Sequence, residues 1–283
     1  MSPFFLIIYA AVLVIIAITA FVLVGAIRTK GSLARSINMS LFLITLPRDP
    51  STSSGQAPRS EKEMISVMEQ LYSSFVNLHA VGWNKFIYGE PYISLEMAVH
   101  HIGEEINFYA AVPRSYEQIF EKQVHGFFPT AQVERIKDYN IFNPEGVSSG
   151  AYFKLKEHPI LPFKTYQQLQ ADPLSELATS LSKLEKRGEG AAIQILIRPA
   201  HQQSFRGLAQ KVAQQMNLGL PFSKALSIAK SGKKPTKPDT QLPATPPFEE
   251  DVIKSIQTKG SKPLFDTNIR IVVAADDQYR ADQ

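Results

Sequence analysis

Cysteine is absent from this 283-residue chain, which excludes a disulfide framework, a cysteine zinc site and thiol catalysis, and fits a reducing compartment. Phosphate-binding glycine patterns are also missing. SGKKPTK at 231–237 has glycine and lysine but not the G-x-x-x-x-G-K-[ST] spacing that lets backbone amides cradle phosphate, and GEGAA at 188–192 reads as a turn into a strand. His79, His100, His101, His125, His158 and His201 form neither H-x-x-x-H nor H-E-x-x-H, so no helix face carries two zinc ligands.

Other chemistry is as thinly represented. Gly146-Val147-Ser148-Ser149-Gly150 matches G-x-S-x-G, but a nucleophile elbow needs a strand before it and a helix after it, and here a polar loop precedes and a strand follows. A turn is expected there. Glu96 and Glu105 can share a sheet face, yet acids on an exposed strand are usually solvated, and no apolar pocket is evident around them. Tyr92, Phe108 and Tyr109 lie on strands without the K/R-G-F/Y-G/A-F signature of a base-stacking sheet, so they read as core or interface. We expect no catalytic residues, no cofactor, no metal and no small-molecule substrate within these 283 residues, and hence no enzyme.

What is present begins with a long apolar run. Phe4 to Ile27, FFLIIYAAVLVIIAITAFVLVGAI, holds no charged residue, and its 24 residues at about 1.5 Å rise reach roughly 36 Å, enough for a hydrocarbon core of about 30 Å. A cleaved signal peptide is the competing reading, but no basic n-region precedes the run and it exceeds the usual h-region. Residues 1–30 are therefore expected to form a transmembrane anchor in the lipid bilayer. Arg28, Lys30 and Arg35 follow it directly, and basic flanks resist translocation. The amino terminus is expected outside, and the body in the cytoplasm.

The formal charge of +4 is a local matter. Of 30 Lys and Arg, five (Lys224, Lys230, Lys233, Lys234 and Lys237) lie in one Pro-rich stretch, and the remaining 25 balance 26 Asp and Glu. We expect a soluble linker over 219–247. Lys230, Lys233, Lys234 and Lys237 are its candidates for contact with lipid headgroups or nucleic-acid phosphates.

Past the anchor the apolar period changes to two. INMSLFLITLP from Ile37 predicts a strand; Ser60 and Glu63 form a capping box for a helix from Glu61 to Ala80. In YISLEMAVHHIGEEINFYAAVP the apolar residues Ile93, Leu95, Met97 and Val99 are odd, and Ile106, Phe108, Ala110 and Val112 are even. A turn at Ile102-Gly103 pairs 99 with 106, 97 with 108, 95 with 110 and 93 with 112, all on one face. The same register sets His101 opposite Glu104 and His100 opposite Glu105 as two cross-strand contacts. Ser115 and Gln118 open a second helix closed by Gly126 and Pro129, and AQVERIKDY supplies a further strand. The order is β-α-β-β-α-β, the ferredoxin-like pattern, over 36–140.

A second unit is expected over 150–283. GAYFKLK (Gly150 to Lys156) is its first strand; Asp172-Pro173 caps a helix carrying Leu174, Leu177, Ala178, Leu181 and Leu184 and ending in Lys186, Arg187 and Gly188. AAIQILIRP is its second strand. A helix from Gln203 to Met216, the linker and a short helix near Glu249 to Gln257 then interrupt it before the strand NIRIVVAA, and DDQYRADQ opens another helix. The fold class expected is α+β: a transmembrane helix, then two ferredoxin-like units, the second interrupted and incomplete at its carboxy terminus, as in a fragment.

INMSLFLITLPRD, EKEMISVMEQLYSSF, ISLEMAVHHIGEEINFYAAVPRS and EKQVHGFFPTAQV together resemble the membrane-anchored amino-terminal region of a bacterial family of uncharacterised function. In its longer members this region precedes a HerA/FtsK-like or conjugation-type (type IV secretion) ATPase domain. The ATPase motifs match no position here. The resemblance implies a non-catalytic scaffold at the inner membrane, with protein partners or self-association in a motor or secretion assembly and only indirect contact with nucleic acid. The alternative is a free-standing single-pass adaptor that binds a separate protein or anionic lipid.

Overall fold

The computed structural model describes residues 3–47, 61–102, 105–169, 173–185, 188–232 and 247–283. Helix α1 (Pro3–Ile37) opens the chain. Its side chains from Val12 to Leu23 are exposed, but its backbone satisfies itself, and Thr19 and Thr29 return their hydroxyls to the carbonyls of Ile15 and Gly25 at 2.8 and 3.0 Å. The helix takes Ile37, the first residue of the expected strand, which begins instead at Met39 (β1, Met39–Thr45).

Helix α2 (Glu61–Phe75) ends before the expected Ala80, because residues 76–78 tighten into turns and leave the helical path. A six-residue helix not expected from periodicity, α3 (Trp83–Tyr88), follows. Strands β2 (Ile93–Val99) and β3 (Ile106–Pro113) then form the hairpin. Val99 faces Ile106, Met97 faces Phe108 and Leu95 faces Ala110, in the expected register. The tip residues Gly103 and Glu104 lie outside the described residues, as does Ser60 of the expected capping box.

A 3₁₀ turn, Arg114–Tyr116, stands where the second capping box was expected, so α4 (Glu117–Phe127) starts later and contains Gly126. Strand β4 (Gln132–Ile136) follows. Strand β5 is Val147–Tyr152, shifted towards the amino terminus from the expected Gly150–Lys156. The shift absorbs the G-x-S-x-G residues: Ser148 lies in β5 opposite Ala274, in a strand rather than a turn.

Helix α5 (Pro173–Leu181) and strand β6 (Gly190–Pro199) come next; Asp172, Lys186 and Arg187 lie outside the described residues. Helices α6 (Gln202–Asn217), α7 (Phe222–Ser231) and α8 (Pro247–Ser261) stand between β6 and strand β7 (Phe265–Ala275), and α9 (Gln278–Asp282) ends the chain. The presence of α7 revises only the first part of the expected linker at 219–247, up to Gly232; residues 233–246 lie outside the described residues. Ala225 and Ala229, four residues apart, are buried with Val212 and Ile256 in a separate helical core, which a solvated linker would lack.

Among the described residues the seven strands join one antiparallel sheet in the order β4-β1-β3-β2-β6-β7-β5. Strand β2 pairs directly with β6, so the two expected units share a sheet. Because side chains alternate along a strand, the odd positions of β2 define one face. At one end of it Phe42, Ile93, Ala110 and Val112 are covered by Leu71 and Phe75 of α2 and by Phe120 and Val124 of α4; at the other, Val99, Ala191 and Ile193 are covered by Leu181 of α5. Phe108, on the same face between these caps, is 55% exposed.

The sheet has an approximate two-fold centred on its middle pair. Leu95 faces Ile195, flanked by Ile93 with Ile197 and Met97 with Ile193. Moving outward, Leu95 leads to Ala110 and Phe42, and Ile195 leads to Ile269 and Phe153, whose N–H donates to the Ile269 carbonyl at 2.9 Å. Phe42 and Phe153 therefore occupy equivalent places. Phe42 is fully buried under α2 and α4, whereas Phe153 is 60% exposed.

Candidate functional site

Two features stand out once the layers are in place. The first is the junction of α1 with the body. Within Val12–Gly31 the helix has a mean hydropathy of 2.5 and none of its most apolar window is buried. It touches the body at its foot, where Gly31 lies so close to α3 that a Cβ would collide with the Ile87 carbonyl. Glycine is required by that approach. Of the three basic residues read as orienting the anchor, Lys30 is exposed beside this junction; the side chains of Arg28 and Arg35 lie outside the described residues.

The second feature is a polar cluster on the sheet face opposite α2 and α4. Glu96, at an even position of β2, is only 8% exposed, which corrects the expectation of a solvated carboxylate. The segment after β4 folds back across this face and brings Tyr139 and Ile141 onto Tyr109, Ala98 and Ala192. The rings of Tyr109 and Tyr139 stack at 4.3 Å and 2°. The Glu96 carboxylate accepts from Ser94 Oγ at 2.6 Å and from the Tyr139 hydroxyl. His100 Nε2 meets the Tyr109 hydroxyl at 2.6 Å, and His101 Nδ1 the Asn140 carbonyl at 3.2 Å. His100 thus takes a tyrosine of β3 as partner and His101 a backbone carbonyl of the returning segment; Glu104, the expected partner of His101, lies outside the described residues.

Burial, then the hydrogen bond to Glu96 and its negative charge, pushes the Tyr139 phenol well above its ordinary value; burial raises Tyr109 too. Both phenols stay protonated at neutral pH, and Tyr139 is the donor to Glu96. The cluster therefore ties the returning segment to the sheet. Tyr139→Phe will leave a buried carboxylate oxygen without its donor, and thermal or urea unfolding will show a loss of about 1–3 kcal/mol. The raised pKa contributes stability that is whole below the unfolded tyrosine value of about 10 and is lost as pH rises through the folded value. An absorbance titration will accordingly show late-ionising phenols that the variant reduces by one.

The lysines expected to meet lipid or nucleic acid are not gathered into a described site. Lys230 is exposed on the last turn of α7. It lies near His158, whose imidazole is lowered by burial and then by the Lys230 charge. Lys233, Lys234 and Lys237 lie outside the described residues. Sequence reasoning passed over Tyr139, whose role depends on a contact across the sheet, and α3, whose signal was legible as WNKFIY between Gly82 and Gly89.

No curated protein matches the chain, and no solved structure does. A family model, described as Domain of unknown function (DUF8128), matches residues 50–283. That match covers every described element after β1, including the returning segment and the helical insertion, and the chain belongs to this family.

Proposed function

We propose that the chain is a non-catalytic, membrane-tethered scaffold that assembles through the open edge of its sheet. The observation that carries the reading is α1, whose bare apolar window leaves about 25 cal/mol per Å² of unfavourable hydration that a bilayer would relieve. By the positive-inside rule, Arg28, Lys30 and Arg35 put the amino terminus outside the inner membrane and the body in the cytoplasm. The strand order β4-β1-β3-β2 with α2 and α4 on one face, and the matching β5-β7-β6, support a ferredoxin-like reading of both halves.

The assembly surface is the β5 edge. Strand β1 is shielded on its outer side by β4, but among the described residues its counterpart β5 has β7 as its one strand neighbour. Beside this edge Tyr152, Phe153 and Leu155 are exposed, and an open strand with apolar neighbours invites pairing. The resemblance in the sequence supplies the partner class, a DNA-translocating or secretion-type ATPase held at the membrane by such a ring of scaffolds.

Phe153→Asp tests the assembly. Detergent-solubilised full chain will run as an oligomer by light scattering, and the variant as a monomer with nearly unchanged unfolding, since the side chain is largely solvated. A parent chain that is monomeric at high concentration, or a variant that assembles equally well, refutes this surface.

A further inference from the structure

The segment Val81–Tyr88 is built as a rigid prong. Gly82 and Gly89 bracket α3 with φ of 62° and 74°, left-handed values that let the chain turn sharply in and out where an L side chain would be strained. The base of the prong is tied shut. Glu90 accepts from Lys85 Nζ at 2.5 Å and from the Ala80 N–H at 3.2 Å. Burial works to raise the Glu90 carboxyl, but the Lys85 and Ala80 hydrogen bonds and the Lys85 charge outweigh it and hold it below the usual range.

This prong carries aromatic and apolar surface outward. Val81 is 81% and Trp83 78% exposed, and Phe86 and Tyr88 are exposed beside them; Trp83 and Phe86 meet edge to face at 5.9 Å. A free-standing surface would not spend its only tryptophan in water without cause, because a bare indole is among the costliest apolar surfaces to hydrate. The position of the prong supplies the cause. Ile87 of α3 is the residue that abuts Gly31 of α1, at the end of the apolar run and beside exposed Lys30. That is the level at which a spanning helix passes from acyl chains into headgroups, where Trp and Tyr sit with the ring in the apolar layer and the polar atom in the wet one.

We propose that Val81–Tyr88 is a second, monotopic foothold: Trp83, Phe86 and Tyr88 insert into the headgroup–acyl boundary of the bilayer that α1 enters. The inference rests on the transmembrane reading of α1. It adds that the body is held at two adjacent points, which fixes its tilt and its rotation about α1.

Trp83 reports on this directly, since its fluorescence is the chain's only indole signal. The full chain is reconstituted in phosphatidylcholine–phosphatidylglycerol vesicles, with parallel samples containing lipid brominated near the carbonyl end or near the methyl end of the acyl chain. The expected result is blue-shifted emission, quenched strongly by bromine near the carbonyl end, weakly by bromine near the methyl end, and shielded from aqueous acrylamide. Emission of a water-exposed indole that neither brominated lipid quenches overturns the foothold. A blue shift without quenching by either lipid overturns it too, by putting Trp83 in a protein contact. The span is scored independently in the same vesicles with Ser2→Cys and Ser261→Cys, each the sole cysteine, using an impermeant maleimide. Labelling of the two cysteines on opposite sides with unquenched Trp83 removes the foothold alone; labelling on the same side removes the span and the foothold with it.

Discussion

A chain with arginine in place of both Ile15 and Ile18 will leave the carbonate-washed membrane fraction and appear in the supernatant. Both side chains are exposed in the middle of α1, and an arginine at the centre of a spanning helix costs roughly 2.5–3.5 kcal/mol on the insertion scale, so the pair costs about 5–7 kcal/mol. Snorkelling relieves a lone arginine near a helix end but not two on successive turns at mid-depth. The body makes no use of these residues, and its unfolding transition is expected to stay where it was. Full membrane retention of the double variant would mean that α1 does not supply the attachment.

Phe42→Ala will cost about 3–5 kcal/mol, a large share of the roughly 5–15 kcal/mol by which a domain is stable. The ring is wholly enclosed. It lies 5.7 Å from Phe120, which stacks in turn on Phe75 at 5.7 Å, so truncation opens a cavity between the sheet, α2 and α4 that three interlocked rings cannot collapse to fill. Phe153→Ala, at the equivalent place across the two-fold, is expected to stay within about 0.5 kcal/mol because its ring is mostly in water. Urea unfolding of the two variants side by side checks the comparison; equal losses would show that Phe153 is covered.

The contrast between those two phenylalanines also marks how far the sequence reached. Odd–even alternation settled the β2–β3 register, since a shift by one residue would have turned Ile93, Leu95, Met97 and Val99 away from the core. It could not show that β2 has a second covered face. Glu96 looked solvated because nothing local announced that Tyr139, 43 residues away, would donate to it. The pairing of His100 with Tyr109 was missed for the same reason, as was the change of the linker's first part into α7, whose stripe of Ala225 and Ala229 is too small to register as an apolar period.

The sequence by itself determined the apolar length of α1, the absence of cysteine chemistry, the α+β order and the hairpin register, because each follows from composition or from a period of two or 3.6 residues. Only the tertiary structure decided that both halves share one sheet through β2 and β6, that Glu96 is buried under a stacked tyrosine pair, and that α3 stands against the foot of α1. Those outcomes depend on which distant surfaces bury each other, and burial energy is a property of the pair, which neither segment carries alone.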